Sequence, residues 1–507
     1  MRNQLAILAL AIPLAFIVPL LPFIMNGGPH IGDAWIHLRI AEETVQLGRY
    51  QFTDYNTQWP LVNLLLAFTI TLLDVPPLIA TQIIPILSGL AMLPFYALCR
   101  RLGVSSSSAL FGIAFLSFNP LYTYFTLTGA IMKETASYYL VLTILMITAI
   151  KMKRIEGYLT GAFVSIGLVL GHHYAAMIVA LYLAALAGYH AFGLLRGQCN
   201  RLGILAPVLV TYLFLFVGRN LTVYWAIGLW FPSFTTSDIL LLAACMAVLS
   251  LFGFGESKGL RYINTIITAG TIVLCVLILR GGTLAILTPT DPITLSEYRY
   301  YLAAGAVSIA GLCLALKRHE INGLLVPTVG WILFAFTYSL TEPGLVIFIK
   351  ALHYFGILLA IGAAFTAHTL HQHFRAGKLA STLIILFLIY GSSFGTTIAL
   401  KGPGSYSATE FTTMKQVVPV TSGLKLYGDM KSNYLWSYLS GGRGGLAGVT
   451  PIAMGLKRGE LILVTATNRE VGFLLGYSWA GPKAIFQRIS RHNIIVSSPE
   501  LSLLGTI

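Results

Sequence analysis

GDAWIHLRIAEETVQLGRY, running from Gly32 to Tyr50, decides how the rest of the chain is read. It follows a long apolar run and the break at Gly27, Gly28 and Pro29. It gathers Asp33, His37, Arg39, Glu42, Glu43 and Arg49 in a chain where charged residues make up 10%. Helical spacing puts Asp33 and His37 on one face and sets Arg39 beside Glu43, because residues four apart are neighbours on a helix. Trp35, Leu38 and Val45 form one apolar edge, and Ile36, Ile40 and Leu47 another. The pattern predicts a short helix lying at a membrane surface, with an aromatic anchor and a polar side. Asp33 reads in two ways, as the centre of an active site on the outer face of the membrane or as a helix cap.

The surrounding chain has 507 residues, 56% of them hydrophobic, and a mean hydropathy of +0.80. Repeated apolar runs near the length of a bilayer crossing predict an all-α polytopic membrane protein. The first run, Leu5 to Met25, is long for a signal peptide and lacks a small-residue cleavage site, so it reads as the first span. The five cysteines, Cys99, Cys199, Cys245, Cys275 and Cys313, stand singly and predict neither a disulfide framework nor a zinc site.

Working along the chain, apolar length and charge predict thirteen spans, with a first outer loop over 27–60. Pro60 to Leu73 is too short for a crossing and is expected to lie in or dip into the interface. A second span is expected from Pro77 to Leu98, and the twelfth from about residue 351, opened by Lys350. Basic clusters close every even-numbered span: Arg100 and Arg101, Lys151 with Lys153 and Arg154, Arg196 with Arg201, Lys258 with Arg261, Lys317 with Arg318, and Arg375 with Lys378. This places the N-terminus in the cytoplasm of an integral cell-membrane protein and accounts for most of the +14 charge without nucleic acid. Residues 1–400 then form the membrane domain. Residues 401–507 form a small outer α/β or β-rich domain, with strand-like runs at Leu461–Thr465 and Asn493–Ser497.

Three acids stand at outer helix ends in separate loops: Asp33, Glu134 and Glu297. Carboxylates from separate loops can converge on a hard divalent cation, Mg2+ or Mn2+; the alternative for Glu134 and Glu297 is a charge favoured by the helix dipole. His172 and His173 lie at an outer turn. Arg299, Lys350 and His353 place cations and an imidazole at the outer hydrocarbon boundary, where a lipid phosphate sits, or where side chains simply snorkel. No phosphate-binding glycine loop or nucleophile elbow stands in a usable context. A substrate delivered by the membrane suits the outer groups better than a cytoplasmic nucleotide.

On these residues the chain resembles the membrane glycosyltransferases of the C type, which use sugars linked to polyprenyl phosphates. The resemblance rests on Asp33, His37 and Arg39 in an Asp-x-x-x-His-x-Arg pattern, on Glu134, on Thr294-Leu295-Ser296-Glu297, and on Lys350 in Lys-Ala-Leu-His-Tyr-Phe-Gly. Within them it is most similar to the catalytic subunit of oligosaccharyltransferase, in a divergent prokaryotic or archaeal form. Two departures stand out. The second acidic motif carries one acid where two are usual. Leu435-Trp436-Ser437-Tyr438 stands nearest to the family's Trp-Trp-Asp-Tyr-Gly but lacks the aspartate. The resemblance implies an inverting glycosyltransferase. It would move a sugar or oligosaccharide from a polyprenyl phosphate or diphosphate, in the bilayer, to a protein, glycan or lipid acceptor on the outer face. Asp33 would be base or metal ligand, Glu134 would complete the cation site and Glu297 would orient the acceptor or join the metal shell. Lys350 and Arg299, with His172, His173 or His353, would hold the phosphate, and His37 and Arg39 would contact substrate. The alternatives are transfer to asparagine of proteins, a transporter or flippase for a lipid-linked substrate, and an inactive scaffold. Charges gathered at outer ends rather than mid-helix disfavour transport.

Overall fold

A computed structural model describes residues 15–21, 23–24, 34–119, 133–149, 154–180, 182–183, 186, 210–226, 299–315, 344–373, 386, 390, 408–421, 425–441, 460–470, 473–475, 478–480, 493–497 and 501–505. The described part is mostly helical. The opening stretch forms α1, Ala34–Leu47, and the segment after it forms α2, Leu61–Leu73. The expected second span is three consecutive helices, α3 (Pro77–Ala80), α4 (Ile83–Leu90) and α5 (Met92–Arg101). Proline explains the breaks. Pro85 and Pro94 cannot donate to the carbonyls four residues back, and their rings crowd those carbonyls, so each is tolerated only in the first turn of a new helix. There follow α6 (Ser106–Phe118), α7 (Lys133–Ala149), α8 (Arg154–Gly171) and α9 (Thr222–Ala226). Next come α10 (Arg299–Ala315) and α11 (Gly344–His373).

Among the described residues, Pro77–Arg101 and His353–Gln372 are long and apolar enough to cross a membrane. The helix α11 corrects one expectation: it begins at Gly344, so Lys350 lies within it rather than opening it. α10 and α11 lie against each other through small residues. A Cβ on Gly362 would collide with the Ser308 carbonyl, and one on Gly311 with the Gly362 carbonyl. Close backbone approach of this kind is how helices associate in lipid, where burying apolar surface gives no advantage.

The described C-terminal residues supply α12 (Ala408–Val420), α13 (Met430–Leu439), α14 (Ala466–Glu470) and six strands. These are β1 (Lys425–Tyr427), β2 (Glu460–Thr465), β3 (Phe473–Leu475), β4 (Ser478–Ala480), β5 (Asn493–Ser497) and β6 (Leu501–Gly505). Strands β1, β2, β6 and β5 form one sheet in that order, parallel between β1 and β2 and antiparallel elsewhere; β3 and β4 pair separately. Both runs expected to be strands are strands.

One core joins the two ends of the chain. Ala34, Trp35, Leu38 and Ala41 on α1 share it with Val62 and Leu66 on α2, and with Met414, Leu435, Trp436 and Leu463 from the C-terminal part. Trp35 stacks on Phe411 at 5.6 Å and lies 5.1 Å from Tyr438. The tryptophan expected to anchor α1 in the bilayer interface is therefore a docking residue for the C-terminal helices. Burying Leu38 completely contributes about 2 kcal/mol to the same contact. The opposite stripe of α2, Leu64, Phe68 and Leu72, is exposed and apolar, the face a segment lying in the interface needs.

Candidate functional site

Two helix ends and the segment between α1 and α2 build one buried polar wall. Helix α7 begins with Lys133 and Glu134, 3% and 2% exposed. Helix α8 ends at Gly171, which sits so close to α7 and α2 that a Cβ there would stand 3.0 Å from Ser137 Oγ and 3.1 Å from Leu61 Cδ2. That approach delivers His172 and His173 to the start of α7. His172 Nε2 lies 3.3 Å from Glu134 Oε1. The Ala175 amide donates to His172 Nδ1 at 3.3 Å, so the ring proton is on Nε2, facing the carboxylate.

His173 continues the wall into the loop. Its ring lies 4.4 Å from that of Trp59, and Nε2 is 2.7 Å from the Tyr55 hydroxyl. The Lys133 ammonium stands over the same two rings, 5.0 Å from Tyr55 and 5.5 Å from Trp59, an arrangement in which aromatic faces attract a cation. Both aromatics are positioned. Asp54 accepts from the amides of Asn56 and Thr57 and caps the short turn Tyr55–Thr57. Trp59 Nε1 donates to Asn220 at 3.3 Å, and Arg219 donates to the Gln58 carbonyl at 2.6 Å. Asn220 and Arg219 lie on the π-helical turn Phe216–Leu221, a widened turn that often marks a site.

His37 reaches the wall from α1 and is fully buried. Its Nδ1 is 2.7 Å from Asn63 Oδ1 on α2. Burial, and next the charge of Lys133, push its pKa down to about 3, with Glu134 and His172 also within electrostatic reach. It is therefore neutral. Tyr50, which joins the same network, is pushed up to about 12 by burial and keeps its proton. Below Glu134, Tyr138 of α7 packs its ring 4.4 Å from that of His353, tying α11 to the same helix.

The structure thus brings together His37, Glu134, His172 and His173, and connects His353 to them. Arg39 does not join them. It pairs with Glu43 at 3.3 Å on a solvent-accessible part of α1, an i,i+4 pair worth a few tenths of a kcal/mol, roughly, at a surface. Asp33 and Glu297 lie outside the described residues. Arg299 and Lys350 are described only as positions on α10 and α11. Lys133, Tyr55, Trp59 and Asn63 escaped the sequence reading. The only signal for Lys133 was a cation standing where a second acid was expected, and a buried asparagine in an apolar helix gives almost none.

A hard divalent cation takes six or more oxygens. The described wall offers one carboxylate, already beside His172 and preceded by an ammonium. Among the described residues no three metal-binding side chains gather. The described wall by itself does not fit Mg2+ or Mn2+.

No protein-family model and no curated protein matches the sequence. Solved structures match through the fold. The Archaeoglobus fulgidus oligosaccharyltransferase in its apo form aligns with a TM-score of 0.53 at 13% identity, over 86% of this chain and 64% of that one. The same enzyme tethered to an acceptor peptide containing the NVT sequon gives 0.53 at 13%, over 87% and 63%. The archaeal oligosaccharyltransferase AglB from Archaeoglobus fulgidus, in complex with an inhibitory peptide and a dolichol-phosphate, gives 0.51 at 13%, over 86% and 63%. This chain shares that fold and spans about 64% of the first structure's length.

Proposed function

We propose that this chain, which has the fold of an archaeal oligosaccharyltransferase, is a membrane glycosyltransferase that takes a sugar from a polyprenyl-phosphate carrier. The observation that carries the reading is the buried contact of Glu134 with His172 beside the Lys133 ammonium. Acid, imidazole and cation are costly to bury and are retained where charge develops in a reaction.

In this reading an acceptor hydroxyl or amide attacks the anomeric carbon while the bond from that carbon to the phosphate oxygen breaks, inverting the centre. Asp33, the residue before α1 in the sequence, takes the acceptor's proton. Glu297 orients the acceptor. The departing phosphate carries the negative charge, and Lys133, Arg299 and Lys350 hold it by electrostatic attraction that grows as the bond breaks. His172 fixes the Glu134 carboxylate, with His173 and His353 backing the wall. The polyprenyl tail stays in the bilayer because extracting it costs about 0.8 kcal/mol per CH2.

Asp33→Asn should abolish sugar release from lipid-linked saccharides, by at least 100-fold, and leave their binding intact. Lys350→Ala should raise the apparent KM at least as much as it lowers kcat. Full release by Asp33→Asn, or unchanged donor affinity in Lys350→Ala, would overturn the roles. Reporter fusions at Arg154 and Gly404 should report opposite sides of the membrane.

A second reading, transfer to asparagine, is favoured by the fold shared with a structure tethered to a sequon peptide. Against it, Trp436 is buried in the core beneath α1. Label appearing on a sequon peptide, and not on one with asparagine replaced by glutamine, would select it.

A further inference from the structure

The network behind His37 has a fixed direction. The Tyr50 hydroxyl donates to the Thr57 carbonyl at 2.7 Å, and a carbonyl can only accept. Tyr50 oxygen is then the acceptor for Asn63 Nδ2, 2.8 Å away, which also donates to the Asn56 carbonyl at 3.3 Å. With Nδ2 committed, Asn63 turns Oδ1 to His37, and the 2.7 Å contact requires Nδ1 to carry the proton. The neutral ring therefore keeps its lone pair on Nε2. That atom is fully buried and has no hydrogen-bond partner among the described residues. Leaving a buried acceptor unmet costs a folded protein free energy, so such an atom asks what meets it.

We infer that His37 Nε2 is a preset hydrogen-bond acceptor for a substrate O–H or N–H, and that Asn63 and Tyr50 are the positioning residues that set its tautomer. The inference rests on the proposed glycosyl transfer and names what this wall recognises: the hydrogen of a sugar hydroxyl or of the attacking acceptor. His37 resists protonation, so it accepts the hydrogen without taking the proton. Among the described residues, the charged and titratable groups that act on it are Lys133, Glu134 and His172.

The test is a [15N]histidine spectrum of the full chain in detergent, with the His37 signal identified by its loss in His37→Gln. At pH 5.5 and 7.5 the ring should show the neutral Nδ1–H form; an Nε2–H form or an imidazolium overturns the inference. Radiolabelled lipid-linked saccharides from the source cell should shift the Nε2 signal, while polyprenyl phosphate without sugar should not, if the hydrogen is the sugar's. A shift only when an envelope extract is added to Asp33→Asn carrying the donor assigns it to the acceptor. No shift in either arm overturns the inference. In sugar release, His37→Phe should fall at least tenfold and His37→Gln, which keeps an acceptor oxygen, should run at least fivefold faster than His37→Phe. Equal rates for His37→Phe and the native protein also overturn it. A native protein that releases no sugar sinks the transferase reading instead, and the tautomer measured without substrate still decides the state of His37.

Discussion

The seam between α10 and α11 and the wall around Glu134 bury polar groups in opposite ways. In the seam Ser308, which is buried, donates to the Ala304 carbonyl at 2.9 Å, and the part-buried Thr366 donates to Val307 at 3.2 Å and Gly362 at 3.1 Å. In the wall, His37 Nε2 and Ser137 Oγ have no hydrogen-bond partner among the described residues, and an ammonium and a carboxylate are buried within it. A satisfied polar group holds helices together. An unsatisfied one is kept at a cost, and the cost is intelligible where a ligand arrives.

The contrast predicts different failures. The largest effect belongs to the seam. Gly362→Leu puts a branched side chain into the Ser308 carbonyl, a clash beyond the roughly 1–3 kcal/mol of ordinary overpacking. It should yield no monodisperse protein on size exclusion in detergent. A variant that elutes and melts like the native chain would show that the seam is not close-packed.

The wall should break the other way. Lys133→Met keeps most of the side-chain volume and should fold, with a melting temperature below the native one, because the cation–π contacts with Tyr55 and Trp59 are lost and one buried charge is removed while Glu134 stays. Sugar release should fall about 100-fold, the usual effect of losing one preorganised electrostatic contact. Release within threefold of native would make Lys133 a structural cation.

The seam and the wall also differed in how far the sequence disclosed them. Apolar runs fixed the helical class, and Leu461–Thr465 and Asn493–Ser497 disclosed their strands, because hydropathy and β-propensity are local properties. Glu134 and the His172–His173 pair were visible for a similar reason: charge is conspicuous in an apolar chain. Trp35 was visible as an aromatic anchor, but its partners Phe411 and Tyr438 are hundreds of residues away, and local amphipathicity cannot tell a lipid from a docked helix. The start of α11 was misplaced because Glu342, Pro343 and Lys350 look like a loop, although Gly344 already opens the helix. Asn63 gave no warning, since its meaning lies wholly in the ring across from it.

The smallest effect tests the neutrality of His37. Its folded pKa of about 3 lies below the ordinary 6.5, so the unfolded chain binds more protons between those values. Its contribution to stability is complete above about pH 6.5 and is lost as pH falls toward 3, at up to about 1.4 kcal/mol per pH unit. Unfolding midpoints from pH 7 to 4 should fall more steeply for the native chain than for His37→Gln. Parallel curves would mean that His37 titrates normally.

The most direct test of the wall as a reaction centre is sugar release by Glu134→Gln, whose amide keeps the shape of the carboxylate and removes its charge. The protein is purified beside the native chain, shown to melt at the same temperature, and given radiolabelled lipid-linked saccharides. The account predicts that the native chain moves label out of the lipid fraction and that Glu134→Gln does so at least 100-fold more slowly. Equal release by the two proteins would contradict it.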